Sequence, residues 1–169
     1  MKHSKLKSIF LYLLIIGSIT ILSSCTSNEK KIWIFELDQS KKSVEKELAS
    51  KDFKYETKND TINIKKEIEL YGITWEACNL YFKNDSLYFI SFNTSSGKEI
   101  SKDQKKNLVE DIDQIYGEHT TDTTAKSQFG TVQWEWKKNN IKVLFISLFW
   151  SKYASLMFID DTKIKKQDL

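Results

Sequence analysis

The chain has 169 residues, of which 26 are basic and 23 acidic, with a formal net charge of +3 and 13% aromatic residues. Every basic residue is lysine, and there is no proline. The aromatic content excludes a disordered polyelectrolyte, the near-balance of charge leaves no basic field for nucleic acid, and the lack of arginine removes bidentate guanidinium recognition of phosphate or carboxylate.

The chain opens with Lys2, Lys5 and Lys7, followed by an apolar run from Ile9 to Leu22 broken only by Gly17, Ser18 and Thr20. A charged start followed by a short apolar run is the layout of a secretory signal peptide. The run is shorter than the about 20 apolar residues that span a bilayer. It ends in Leu22-Ser23-Ser24-Cys25: an aliphatic residue, two small residues, then cysteine. This resembles the lipobox of bacterial lipoproteins. The resemblance implies cleavage between Ser24 and Cys25, removal of residues 1–24, and acyl chains on Cys25 that make the membrane its partner. Each buried methylene contributes about 0.8 kcal/mol, so two or three chains make a stable tether. Thr26 stands where an Asp is often associated with inner-membrane retention. By the same resemblance, a cell with two membranes would place the protein in its outer one. Loss of the three leading lysines leaves 23 lysines against 23 acids.

Residues 25–31 are expected to be a lipidated cysteine and polar tether, 32–160 one globular domain, and 161–169 a charged tail. Lys31 to Leu37 reads as a first strand. Ser40 to Lys51 carries Val44 and Leu48 at helical spacing. Strand-like runs follow: Phe53 to Thr57, then Ile62 to Phe82 broken near Tyr71-Gly72, then Leu87 to Asn93. In the last of these, Tyr88, Ile90 and Phe92 alternate against Leu87 and Phe89. Lys83-Asn84-Asp85 is a turn signal between the final two runs.

Ser101 to Tyr116 is the strongest helix signal. Ser101 and Gln104 fit a capping box, Leu108, Val109, Ile112, Ile115 and Tyr116 share a face, and Gly117 is a stop. A Thr-rich loop from Gly117 to Gly130 precedes a strand from Thr131 to Lys137, where Val132, Trp134 and Trp136 share one face. Lys138-Asn139-Asn140 turns the chain into Ile141 to Trp150, and Ala154 to Ile159 closes the sheet. The expected class is therefore α+β. The order β-α-β-β-β-α-β-β-β places two helices on one face of an antiparallel sheet, with a helix-plus-strands repeat over residues 40–93 and 101–160. This layout resembles that of small, functionally uncharacterised bacterial lipoproteins. The resemblance is carried by the Ser-Lys-Lys-Ser-Val-Glu-Lys-Glu-Leu helix, the Tyr-Gly after the second helix and the terminal hairpin. It implies no established active site.

The residues that could carry chemistry are few. With Cys25 acylated, Cys78 is left as the one free thiol, read as buried and inert rather than reactive. His119, the only histidine after the leader, reads as an exposed loop residue, with a general base as the alternative. One histidine and one thiol do not make a zinc site, and no cofactor is expected. The acids Glu110, Asp111 and Asp113, and Asp160 with Asp161, read as solvated charge rather than a glycosidase pair. Trp33, Trp75, Trp134, Trp136 and Trp150 fall on strand-like runs and serve as core, but the Trp134/Trp136 face is a contact surface if nothing covers it. Asp60-Thr61, Asp85-Ser86 and Asp122-Thr123 match a short O-glycosylation sequon type. The expected function is a non-enzymatic binding or interaction module on the cell envelope, its candidate surface Trp134, Trp136 and His119, its partner an envelope or secreted protein. The alternatives are an envelope hydrolase using scattered carboxylates or His119, and a structural or assembly lipoprotein.

Overall fold

The computed structural model describes residues 28–95, 99–122, 131–148 and 153–164. Ser24, Cys25 and Trp150 therefore lie outside the described residues.

The first strand-like run bends back on itself. Lys31–Ile32 (β1) pairs with Phe35–Glu36 (β2), and Trp33 turns between them at φ 57°. Ser40 then caps helix α1, Lys41–Ser50, accepting the backbone N–H of Ser43; Val44 and Leu48 are its buried stripe. Six strands follow: β3 Tyr55–Lys58, β4 Thr61–Ile64, β5 Ile68–Leu70, β6 Ile73–Trp75, β7 Ala77–Lys83 and β8 Ser86–Asn93. Tyr71-Gly72, Asn84-Asp85 and Asn139-Asn140 each place two successive residues at positive φ. That geometry joins two-residue hairpins, and it explains the glycine, asparagine and aspartate found there.

Helix α2 spans Lys102–Tyr116. Both arms of the Ser101/Gln104 capping box form, and Gly117 ends the helix at φ 88°. The chain continues through β9 Thr120–Asp122, β10 Thr131–Lys138, β11 Ile141–Leu148 and β12 Ala154–Asp160. The start of the expected Thr-rich loop is thus a strand, because its backbone pairs with β10 through Thr120↔Glu135 and Gln133↔Asp122.

One eight-stranded sheet runs in the order β3-β4-β7-β8-β12-β11-β10-β9, every neighbouring pair antiparallel. The order is a mirror sequence. Each helix is followed by a four-stranded run, and the last strand of each run, β8 and β12, pair at the centre. The expected helix-plus-strands repeat is therefore present as architecture, with the β5–β6 hairpin inserted in the first half only. The class is α+β, as the strand and helix patterns predicted.

Both helices among the described residues cover the same face. Val44 and Leu48 of α1 and Leu108, Ile112 and Tyr116 of α2 join one core with Ile62, Leu80, Phe92, Phe158, Val143 and Trp136 from the sheet. Cys78 is wholly buried there, and burial pushes its thiol pKa up, as expected of an inert side chain. A bulge in β8 alters one expectation. Tyr81 pairs with Phe89 but Phe82 with Leu87, so Tyr88 is an extra residue. The alternation shifts phase there, and Leu87 joins Ile90 and Phe92 in the core.

Glu29 and the turn Asp161–Lys163 are better anchored than the sequence implied. Glu29, expected in the tether, is 7% exposed; it meets Lys138 Nζ at 2.8 Å and accepts from Asn139 Nδ2 at 2.6 Å. The hydroxyl of Tyr116 donates to the Glu29 carbonyl at 2.6 Å. Within the expected tail, Asp161–Lys163 forms a helical turn capped by Asp160, and Lys163 bonds Asp38 and Ser86. Ion pairing and capping at these positions draw charged residues onto the body that hydrophobic patterning alone assigns to solvent.

Candidate functional site

The three residues expected to form a surface are divided by α2. Trp136, toward the end of β10, is 1% exposed. Its indole N–H donates to Asp113 Oδ1 on α2 at 2.7 Å, and Lys138 Nζ donates to the Ile115 carbonyl at 2.8 Å. The helix lies over this part of the strand, so Trp136 is core and not a contact residue. Val132 and Trp134 share its side of the strand and are only half-buried. Trp134 stacks on Phe145 with ring centroids 5.1 Å apart.

His119 is not the free loop residue expected. Its Nδ1 lies 2.9 Å from Asp113 Oδ1, its ring rests 5.6 Å from that of Trp136, and its side chain is 27% exposed. Asp113 is thus the junction of His119 and Trp136. Burial disfavours its charge, but the hydrogen bonds from His119 and Trp136 outweigh burial and hold its carboxyl below the ordinary value. Sequence reasoning placed Asp113 with the solvated acids. The signal that finds it is its position directly after Ile112, on the flank of the helix stripe, where a short side chain reaches the facing strand. Among the described residues, no group of three or more His, Cys, Asp or Glu side chains converges as a metal site would require.

The sheet has a second face, which no helix among the described residues covers. Along β7 and β8 the residues between the core positions are Asn79, Tyr81, Phe89, Ser91 and Asn93, and β12 and β11 add Ser155, Met157, Leu144 and Ile146. None of these joins the core. Tyr81 and Phe89 stack across the strands at 4.7 Å. Beside them runs a chain of uncharged polar groups. Asn79 Nδ2 and Asn93 Nδ2 donate to Ser91 Oγ, while Ser155 Oγ and the Tyr153 hydroxyl donate to Asn93 Oδ1 at 2.9 and 2.8 Å. A shallow depression of about 450 Å³ lies over this network. Among the described residues, charged side chains stand around it: Lys83 and Lys142 at one end, and Glu135 and Lys137 toward β9.

Such a face has rigid, satisfied polar groups, a stacked aromatic pair and no charge at its centre. Chemically it can hold a surface. The sequon hydroxyls behave differently: Ser86 is tied to Asp38 and Lys163, Thr61 begins β4 beside a tight turn, and Thr123 lies outside the described residues. No helix among the described residues is long and apolar enough to cross a membrane.

Fold and surfaces together define an α+β protein whose antiparallel sheet is covered by helices on one side and, among the described residues, by none on the other. No family model, curated protein or solved structure matches the chain.

Proposed function

We propose that this chain is a lipid-anchored binding protein of the cell envelope, non-enzymatic, that grips a protein partner with the bare face of its sheet. The observation that carries the reading is the uncharged centre around Tyr81, Phe89, Met157 and Asn93, ringed by lysines and acids. Interface cores are depleted of charge and enriched in aromatic residues and Met, with a polar rim. The size also fits. Eight strands about 4.8 Å apart and averaging about 20 Å in length present on the order of 700 Å², close to the about 800 Å² that one partner contributes to a standard interface. The side chains are held by their own hydrogen bonds, so little ordering entropy is lost on binding. The lipobox-like Leu22-Ser23-Ser24-Cys25 supplies the membrane attachment.

Crosslinking of intact cells that express the full chain tests this reading. A defined partner should be captured by the native chain and by Glu45→Lys on α1, and lost by Phe89→Lys, all three melting at similar temperatures. Equal capture by Phe89→Lys, or capture by none, overturns the reading. Cys25→Ala should release the protein from membranes into the soluble fraction; retention there would remove the anchor.

A second reading rests on the His119–Asp113 pair. A carboxylate at Nδ1 orients an imidazole as a general base requires. It predicts hydrolysis of activated esters that His119→Ala abolishes; identical rates for native and variant chains would eliminate it.

A further inference from the structure

We propose that the cleft between the start of α2 and the adjoining ends of β10, β11 and β12 binds a small carboxylic acid with an aromatic or branched apolar body. The cleft holds about 300 Å³ and lies on the helix-covered side of the sheet, away from the bare face. Such a volume suits a single small molecule, at the low end of the about 300–1,000 Å³ typical of ligand pockets.

Its floor is one row of the sheet. Val132 pairs with Ser147, and Ser147 with Ala154. Trp134 forms a wall, one side of its ring held against Phe145, and Leu148 and Ile100 add to the apolar lining among the described residues. Ser147 is 5% exposed, and its hydroxyl has no hydrogen-bond partner among the described residues. No wholly occluded side-chain nitrogen or oxygen among those residues lacks a partner. The Ser147 hydroxyl therefore opens into the cleft volume. That hydroxyl is free to donate to an acceptor of a bound ligand.

The rim supplies the charge. Lys102 and Lys105 stand one turn apart on α2, and neither forms an ion pair among the described residues. Glu99 shares the rim, so two ammonium groups face one carboxylate. The N-terminal end of α2 adds positive potential. An apolar body against Trp134, with a carboxylate within reach of the lysines and the Ser147 hydroxyl, meets all three features. A neutral sugar leaves the lining unsatisfied, and a cation is repelled at the rim.

Titration of the full chain with indole-3-acetate and its neutral isostere indole-3-acetamide tests the proposal. The readout is the Trp134 indole N–H resonance, identified by its loss in Trp134→Phe. The acid should shift it saturably and bind about fivefold tighter than the amide, the gain that one or two partly exposed ion pairs supply. Lys102→Ala/Lys105→Ala, two surface changes that leave the core untouched, should erase that preference. Ser147→Ala, shown to melt like the native chain, should weaken both ligands. Equal affinity for acid and amide, an undiminished preference in the double variant, or no saturable shift with either probe overturns the proposal.

Discussion

Asp113 illustrates how one short side chain can join three elements. Its carboxylate takes the Trp136 indole N–H and faces His119. Asp113→Ala leaves that buried N–H without an acceptor and should cost about 1–3 kcal/mol in urea unfolding. Asp113→Asn, which keeps a carbonyl oxygen, should cost less, and equal losses would show that the acceptor role is unimportant. Asp38 makes a separate prediction about pH. Lys163, then Lys30, hold its pKa down at about 2. A depressed folded pKa stabilises fully above the unfolded value of about 4, and the contribution fades as pH falls through about 2. The stability gap between the native chain and Asp38→Asn should be flat above pH 5 and close between pH 4 and 2. Because Asp38 is 41% exposed, the gap should be modest. These partnerships span long sequence separations. Periodicity marks which residues are apolar; it does not say which charged residue a folded chain brings beside another.

The elements that local rules govern were readable in advance. Ser101 and Gln104 close a box because their side chains answer each other's backbone three residues apart. Ser101→Ala should lower stability by about 1 kcal/mol. Gly117→Ala should cost a similar amount, since φ 88° strains any residue with a Cβ; a melting temperature unchanged from the native chain in either variant would count against these assignments. The asparagine-rich turns were legible for the same local reason. Two features were not. The bend at Trp33 occurs at a tryptophan, which no turn rule favours, and it is held by edge-on contacts with Phe35, Phe53 and Phe92. The bulge at Tyr88 depends on the register with β7, which is absent from the sequence of β8 itself.

For the whole molecule, the α+β class and the helix-plus-strands repeat followed from the order of patterns, but the burial of each sheet face did not. Alternation showed that Trp134 and Trp136 share a side; only the packing of α2 divides that side into a covered end and an open one. The two faces should respond differently to substitution. Trp136→Ala should cost about 3–5 kcal/mol of stability, whereas Phe89→Lys should leave the melt nearly unchanged. If the Phe89 variant unfolds instead, the bare face is structural.

Glu29 sets the length of a leash. Only Thr26, Ser27 and Asn28 separate it from Cys25, a span of at most about 14 Å. Glu29 is pinned beside the Asn139-Asn140 turn. On the proposed anchor, that turn hangs next to the lipid, and β10 and β11 run outward from it. The cleft near Val132 lies about 23 Å along β10 from the turn, at the other end of that strand. On that proposal, a buried carboxylate four residues from the lipid would keep the turn near the membrane.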